Sequence, residues 1–282
     1  MHAIPDLTLN DGQRIPQLGY GTFQVPPEET AAAVRAALDA GYRHIDTAQL
    51  YHNERGVGEG VRDSGLARND VYVTTKLSTG AHVPDDTRRA FDGSLEALGT
   101  DHVDLFLIHW PMVLSYGGDF VSTWRVLEEF KADGRARSIG VSNFRIVDLQ
   151  RLLEETGTIP AVNQIEVNPY FSNDPLRAFG HEHGIITEAW SPLAQGAALS
   201  EPAVQQVAAR RGQTASQVIM RWHIERGDIV FPKTMSPERM RENLDVFDFA
   251  LEAEDLVALA TIDRGPGGRT GADPDTFDYK PA

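Results

Sequence analysis

The sequence predicts an α/β chain folded as a (β/α)8 TIM barrel, with an N-terminal β-hairpin ahead of it and a C-terminal loop or tail behind. Two observations carry this. Short apolar, β-rich runs alternate with longer amphipathic segments from end to end, the pattern of parallel strands joined by crossover helices. The polar residues closing four of the runs, Asp46, Lys76, His109 and Ser142, are separated by 30, 33 and 33 residues, the length of one strand-helix unit. Eight such units close a barrel. The alternation alone also admits a doubly wound open sheet. No linker or change of composition divides the chain, so residues 1–282 read as one domain.

In chain order, "LTLNDGQRIPQL" opens with Asp-Gly between two apolar runs, the signature of a hairpin. The strands are "QLGYG", "YRHID", "VYVTTK", "VDLFLIHW", "RSIGVS", "AVNQIEV", "IITEAW" and "DIVFP". Between them "PEETAAAVRAALDAG", "DDTRRAFDGSLEALG", "FVSTWRVLEEFKADG" and "TASQVIMRWHIERG" read as helices, each closing with the glycine expected just past a helix C-terminus. The final "DRGPGGRTGADPDTFDYKPA" is rich in Gly, Pro and Asp and reads as a loop or tail over 264–282.

Composition narrows the chemistry. With 41% hydrophobic and 24% charged residues the chain is globular. The absence of cysteine removes disulfides, thiolate metal sites and cysteine nucleophiles. A net charge of -15 disfavours nucleic acid and anionic membranes as partners unless a local basic cluster overrides it. The start "MHAIPDLTLN" lacks the basic and apolar stretches of a signal peptide, so the expected location is the cytoplasm, and a monomer is the expected state. No two histidines fall at ligand spacing with a carboxylate on one helix, and "HEH" at His181 to His183 reads as a surface helix end, so no metal is expected.

Asp46 ends a buried strand, where an unpaired carboxylate would cost several kcal/mol. In a parallel barrel the strand ends converge on one face, which brings Lys76, His109 and Tyr51, in the loop after Asp46, to the same mouth. Singly, each has a structural reading: Asp46 a helix cap, Tyr51 a packing residue, Lys76 a snorkelling side chain, His109 a hydrogen-bonded core histidine. Together they make an acid catalyst. A phenol of pKa about 10 is a poor donor near neutrality, an adjacent ammonium lowers that value, and Asp46 holds the ammonium in place. A neutral His109 can orient a carbonyl oxygen.

"GYRHIDTAQLYHNERGVG", "HWP", "GVSNF" and "FPKTMSPERMRENLDVFDF" resemble the aldo-keto reductases, bacterial members similar to 2,5-diketo-D-gluconate reductase in particular, from "LNDGQRIPQLGYGTF" to about Leu251. The resemblance implies an NADPH-dependent reductase of aldehyde or ketone carbonyls, binding its cofactor across the barrel mouth without a Gly-x-Gly-x-x-Gly loop. It makes Asp46, Tyr51, Lys76 and His109 the catalytic tetrad, with Tyr51 the general acid. It gives Ser142, Asn143 and Gln164 to the nicotinamide carboxamide, Trp190 to the nicotinamide ring, and Ser191, Leu193 and Gly196 to a loop over the pyrophosphate. Lys233, Thr234 and Arg239 would hold the adenosine 2′-phosphate and Glu242 and Asn243 meet adenine, with Gly21 and Thr22 also on the cofactor side. Phe23 and Trp110 would wall the substrate pocket, joined by Phe277 or Tyr279 from the tail. Ser78 stands where many relatives carry tryptophan, which implies a wider pocket.

Two other readings compete. One is an NADPH-binding regulatory or structural protein with little turnover, against which the intact tetrad speaks. The other is a barrel hydrolase using Asp46 and Glu166, which requires two free carboxyl groups.

Overall fold

The structure, a computed structural model, describes residues 4–281. The hairpin forms as expected from β1 (Asp6–Thr8) and β2 (Arg14–Pro16), paired antiparallel. Eight parallel strands follow: β3 (Tyr20–Gly21), β4 (His44–Asp46), β5 (Tyr72–Leu77), β6 (Val103–Ile108), β7 (Ala136–Ser142), β8 (Val162–Glu166), β9 (Ile186–Trp190) and β10 (Ile229–Val230). Every predicted apolar run yields one of them, and they pair in sequence order. Leu18, just ahead of β3, bridges Val230 of β10 in parallel. Gly19 donates its N–H to the Val230 carbonyl at 3.0 Å, and Val230 donates to that of Gln17 at 3.1 Å. These bonds tie the first strand to the last, so the sheet is a barrel and not an open doubly wound sheet.

Helices occupy the crossovers, among them Pro27–Ala40, Pro84–Leu98, Val121–Ala132 and Ala215–Glu225. Gly41 and Gly99 end the first two in the left-handed conformation that glycine adopts without strain. Phe91 and Phe130 from two of these helices stack at 4.2 Å, and Phe91 meets Phe106 of β6 at 4.4 Å. Each such aromatic contact adds about 0.5–1.5 kcal/mol to the burial itself. Among the described residues no helix is long and apolar enough to cross a membrane.

Side chains two apart on a strand share a face, so the barrel interior is filled in levels. At the lower level Leu105, Leu107, Val162, Ile229 and Phe231 pack with Leu9 and Ile15, and the hairpin thereby plugs that end. One level toward the strand C-termini the inward rows turn polar, with Asp46 on β4, Lys76 on β5, Gln164 on β8 and Glu188 on β9, all buried. The 264–281 segment has irregular backbone apart from a short turn at Gly265–Gly268, as its composition predicts. It is nevertheless tied across the mouth by the contacts described below.

Candidate active site

Tyr51 reaches the mouth because the loop after β4 is pinned from three sides. Asn53 donates to the carbonyls of Thr22 at 2.9 Å and Val25 at 3.2 Å, and accepts from Thr47 Oγ1 at 2.9 Å. Gln49 donates to the Ala90 carbonyl at 2.7 Å and accepts from the Ser78 N–H at 2.6 Å. Thr22 Oγ1 donates to the Asp46 carbonyl at 3.0 Å. Thr22 and Gly21 are both buried beside the Asp46 strand end.

The four residues of the expected constellation meet there. Lys76 Nζ, with its side chain fully buried, donates to Asp46 Oδ1 at 2.7 Å and Oδ2 at 2.9 Å, to the Thr47 carbonyl at 2.8 Å, and to Tyr51 Oη at 3.4 Å. The His109 ring lies 5.8 Å from that of Tyr51, nearly perpendicular at 77°. Asp46 therefore has its cation, and the cation touches the phenol.

Burial sets the proton affinities first and charge corrects them. Burial pushes the Tyr51 hydroxyl above its ordinary value of 10.0; Lys76 pulls it back and Asp46 opposes Lys76. The expected lowering by Lys76 is thus present as one influence, but desolvation outweighs it. For Lys76, burial would lower the pKa, yet Asp46 and Tyr51 carry it above the usual lysine range, so the ammonium persists. Burial, Lys76 and His82 hold His109 well below 6.5. It is a neutral imidazole, and its buried Nδ1 has no partner among the described residues.

Around this centre lie the residues expected on the cofactor side. Ser142 Oγ donates to the Gln164 carbonyl at 2.8 Å, and Asn143, at φ 61°, donates to the His109 carbonyl at 3.0 Å. Trp190, half-buried, donates its indole N–H to Asn143 Oδ1 at 2.9 Å, which fixes the plane of its ring. Gln164 turns its amide nitrogen inward, donating to Asp46 Oδ2 and Glu188 Oε2, both at 2.8 Å. Ser191, Leu193 and Gly196 fall in the loop after β9, where Ser191, Ala194, Gln195 and Gly196 all have positive φ. Such a run is strained backbone of the kind found at ligand clamps.

Lys233 and Arg239 are exposed and make no ion pair among the described residues, in a chain of net charge -15. Arg239 sits in the first turn of the helix Pro237–Leu244, capped by Ser236, and Thr234 Oγ1 accepts from the Ser236 N–H at 3.1 Å. Two cations without an ion pair among the described residues, Arg239 in the first turn of a helix and Lys233 in the loop before it, suit an anion. Glu242 and Asn243 face the neighbouring helix instead, accepting from Thr214 Oγ1 at 2.6 Å and Ser216 Oγ at 2.8 Å.

On the other side of the mouth, Phe23 is exposed and packs against Tyr51 at 5.0 Å. Trp110 is buried under Phe277, which stacks on it at 3.9 Å and 15°. Tyr279 points outward. The tail reaches farther than its sequence suggests, since Arg145 pairs with Asp275, Ser115 bonds Asp278, Lys280 lies 4.4 Å from the Tyr116 ring, and Pro281 packs beside Gly80. Ser78, in the same loop as Gly80, is half-buried.

Glu166 anchors the tail. Its Oε1 accepts from Thr270 N and Oγ1, both at 2.6 Å, and its Oε2 from Gly271 N at 3.1 Å. Gly271 is glycine because a Cβ there would come within 2.3 Å of the Trp190 ring. With Glu166 so occupied and Asp46 held by Lys76, neither carboxyl is free, and the hydrolase reading loses its two acids. Hydrogen bonds to a charged group are worth about 1.5–3 kcal/mol each. Glu166→Ala is therefore expected to speed proteolytic cleavage within residues 264–281 by roughly tenfold or more, a factor that about 1.4 kcal/mol supplies. Limited proteolysis read by mass spectrometry checks this, and equal cleavage rates would show the tail held without Glu166.

Glu188 escaped the sequence reading. Its signal was a glutamate inside the apolar run "IITEAW", at a position two residues from Trp190 and so on the same inward face. Asn53 escaped for a different reason, because nothing local distinguishes a pinning asparagine from a helix cap.

Comparison with known proteins agrees with the fold. Residues 17–264 match the aldo/keto reductase family model. An aldo-keto reductase from Mycolicibacterium smegmatis is 48% identical over 275 residues, covering 98% of each chain. The 2,5-diketo-D-gluconic acid reductase B of a Corynebacterium species is 44% identical over 279 residues, 99% of each. A mutant of Gox0644 solved in complex with NADPH superposes with a TM-score of 0.94 at 44% identity, covering 99% of this chain and 100% of that one. The chain belongs to the aldo/keto reductase family and is an oxidoreductase of that family.

Proposed function

We propose that this chain reduces the carbonyl of an aldehyde or ketone at the expense of NADPH, with Tyr51 as the general acid. The observation that carries the proposal is the buried Lys76 ammonium, bonded on one side to Asp46 and on the other to Tyr51 Oη. Three features favour NADPH as the cofactor: Trp190 with its ring plane fixed, the strained loop from Ser191 to Gly196, and the unpaired cations Lys233 and Arg239. Ser142, Asn143, Gln164 and Trp190 would hold the nicotinamide end, the 191–196 loop the pyrophosphate, and Lys233, Thr234 and Arg239 the 2′-phosphate. Gly21 and Thr22 would lie on the same side, and Glu242 and Asn243, now bonded to the neighbouring helix, would meet adenine. When bound, NADPH supplies the hydride.

The chain's own residues then manage the proton and the oxygen. His109, neutral, donates a hydrogen bond that orients the carbonyl oxygen toward Tyr51. Tyr51 gives its proton to that oxygen as negative charge develops, and the adjacent ammonium stabilises the phenolate left behind. Asp46 keeps the ammonium in place and the buried charge balanced. Phe23, Trp110 and Phe277 exclude water from the carbonyl's other side. The name of the Corynebacterium relative makes small polar dicarbonyl compounds the first substrate class to assay.

Arg239→Ala tests the cofactor assignment. Losing one hydrogen bond to a charged group, about 1.5–3 kcal/mol, should weaken NADPH by roughly ten- to a hundred-fold and leave NADH nearly unchanged. Both cofactors can be titrated by tryptophan fluorescence at two salt concentrations, with NADPH the more salt-sensitive because its extra phosphate is screened. Equal wild-type affinity for both, or a mutant weakening both alike, would refute the assignment.

A further inference from the structure

Beneath the tetrad a second carboxyl group lies in the barrel interior, and the mechanism above leaves it without a task. Glu188, on β9, is fully buried. Its Oε2 accepts from Gln164 Nε2 at 2.8 Å, and the same nitrogen donates to Asp46 Oδ2 at 2.8 Å. Its Oε1 is buried with no partner among the described residues. One amide thus links two carboxyl groups, and one ammonium, Lys76, serves both. Asp46 takes two of the Lys76 contacts directly, while Glu188 takes none.

A buried carboxylate with an unpartnered oxygen is costly, and two anions sharing one cation are costlier. A neutral acid removes the second cost and reduces the first to that of an unpartnered hydroxyl, with its proton on Oε1. We propose that Glu188 is a positioning acid, held protonated below the tetrad, which keeps the buried charge at one carboxylate to one ammonium and so sets the proton affinity of Tyr51. The remaining neighbours agree. The titratable groups facing Glu188 are Asp46 on β4 and Lys76 and Tyr72 on β5, while β8 offers the neutral Gln164 and β10 the apolar Ile229. The Tyr72 hydroxyl is itself buried with no hydrogen-bond partner among the described residues, and burial and then Glu188 hold it well above 10.0, so it adds no charge. Burial first, then Asp46, pushes the Glu188 carboxyl up to about 8, and neither Gln164 nor Lys76 restores it.

The consequence appears on the alkaline side. Once Glu188 ionises, a second negative charge shares Lys76, and Tyr51 holds its proton more tightly. In Glu188→Gln, a neutral mimic of the protonated acid, this brake is absent. The alkaline limb of the reduction rate should then fall at a pH lower by roughly one unit, the shift that a unit charge a few side chains away produces at an effective dielectric near 20.

The coupling rests on Tyr51 being the acid, so the experiment has an arm that does not. Glu188's folded pKa lies above its unfolded value, so its contribution to stability is complete below the unfolded pKa of 4.5 and is lost as pH rises through about 8. Wild-type melting temperature should therefore fall more steeply from about pH 5 to 8 than that of Glu188→Gln. If that variant does not fold, Glu188→Met, equally unable to ionise, carries the same comparison. Diverging melting curves with a displaced rate limb are the expected result. Parallel melting curves would overturn the proposal, since Glu188 would hold no proton. Diverging melting curves with an unmoved rate limb would overturn its coupling to catalysis, and if Tyr51→Phe also kept full activity, the fault would lie with the Tyr51 assignment.

Discussion

Tyr51→Phe is expected to lower the chemistry-limited rate of carbonyl reduction by about a hundred- to ten-thousand-fold, the range that general acid catalysis supplies. NADPH binding should be nearly unchanged, because the ring stays and only the donor hydroxyl goes. The fold should tolerate the change as well, since the one hydrogen bond the Tyr51 hydroxyl makes among the described residues is the long 3.4 Å contact with Lys76. The check is a steady-state assay over a panel of aldehydes, diketones and ketoesters, with NADPH affinity measured in parallel. A variant keeping more than about a tenth of wild-type kcat where chemistry limits would remove Tyr51 from the role. A wild type silent across the panel would favour the non-enzymatic reading.

Lys76→Met combines a catalytic with a structural loss. The side chain is fully buried and makes the only ion pair of Asp46 among the described residues. Removing it leaves Asp46 with Gln164 as its one remaining side-chain donor. Breaking a buried pair by deleting one partner costs about 3–5 kcal/mol. For a chain of this size that is a fall of roughly 5–8 °C in Tm. Reduction should fall as far as in Tyr51→Phe, because the phenol loses the one charge that favours its ionised form. Calorimetry beside the kinetic assay separates the two effects. A Tm equal to wild type would show that Asp46 and Lys76 do not act as a buried pair.

What the sequence discloses here follows from physical range. The strands were legible because each is a short apolar run, and the polar residues that close four of the runs stand 30 or 33 residues apart, a spacing that admits one strand-helix unit. Asp46, Lys76 and His109 were legible as a group because barrel closure alone brings strand ends together. Gln164 entered only through the family resemblance, and its inward hydrogen bonds to Asp46 and Glu188 depend on side-chain rotamers that no spacing encodes. The net direction of the Tyr51 pKa was missed because desolvation depends on packing from all sides, whereas the Lys76 charge could be placed from strand order. The tail was correctly read as irregular, yet its anchorage on Glu166 and Trp110 links positions about a hundred or more residues apart that share no periodic pattern.

The central claim is that Tyr51 donates the proton and that Lys76 tunes it. Its most direct measurement is the pH dependence of single-turnover reduction, run with NADPH prebound and repeated with deuterated nicotinamide so that the chemical step is the one observed. Wild type should show an alkaline limb where Tyr51 loses its proton. In Lys76→Met that limb should move to higher pH, because burial and Asp46, the two influences that raise the Tyr51 pKa, then act unopposed. In Tyr51→Phe it should vanish. A limb at the same pH in wild type and Lys76→Met, or one persisting in Tyr51→Phe, would contradict the account.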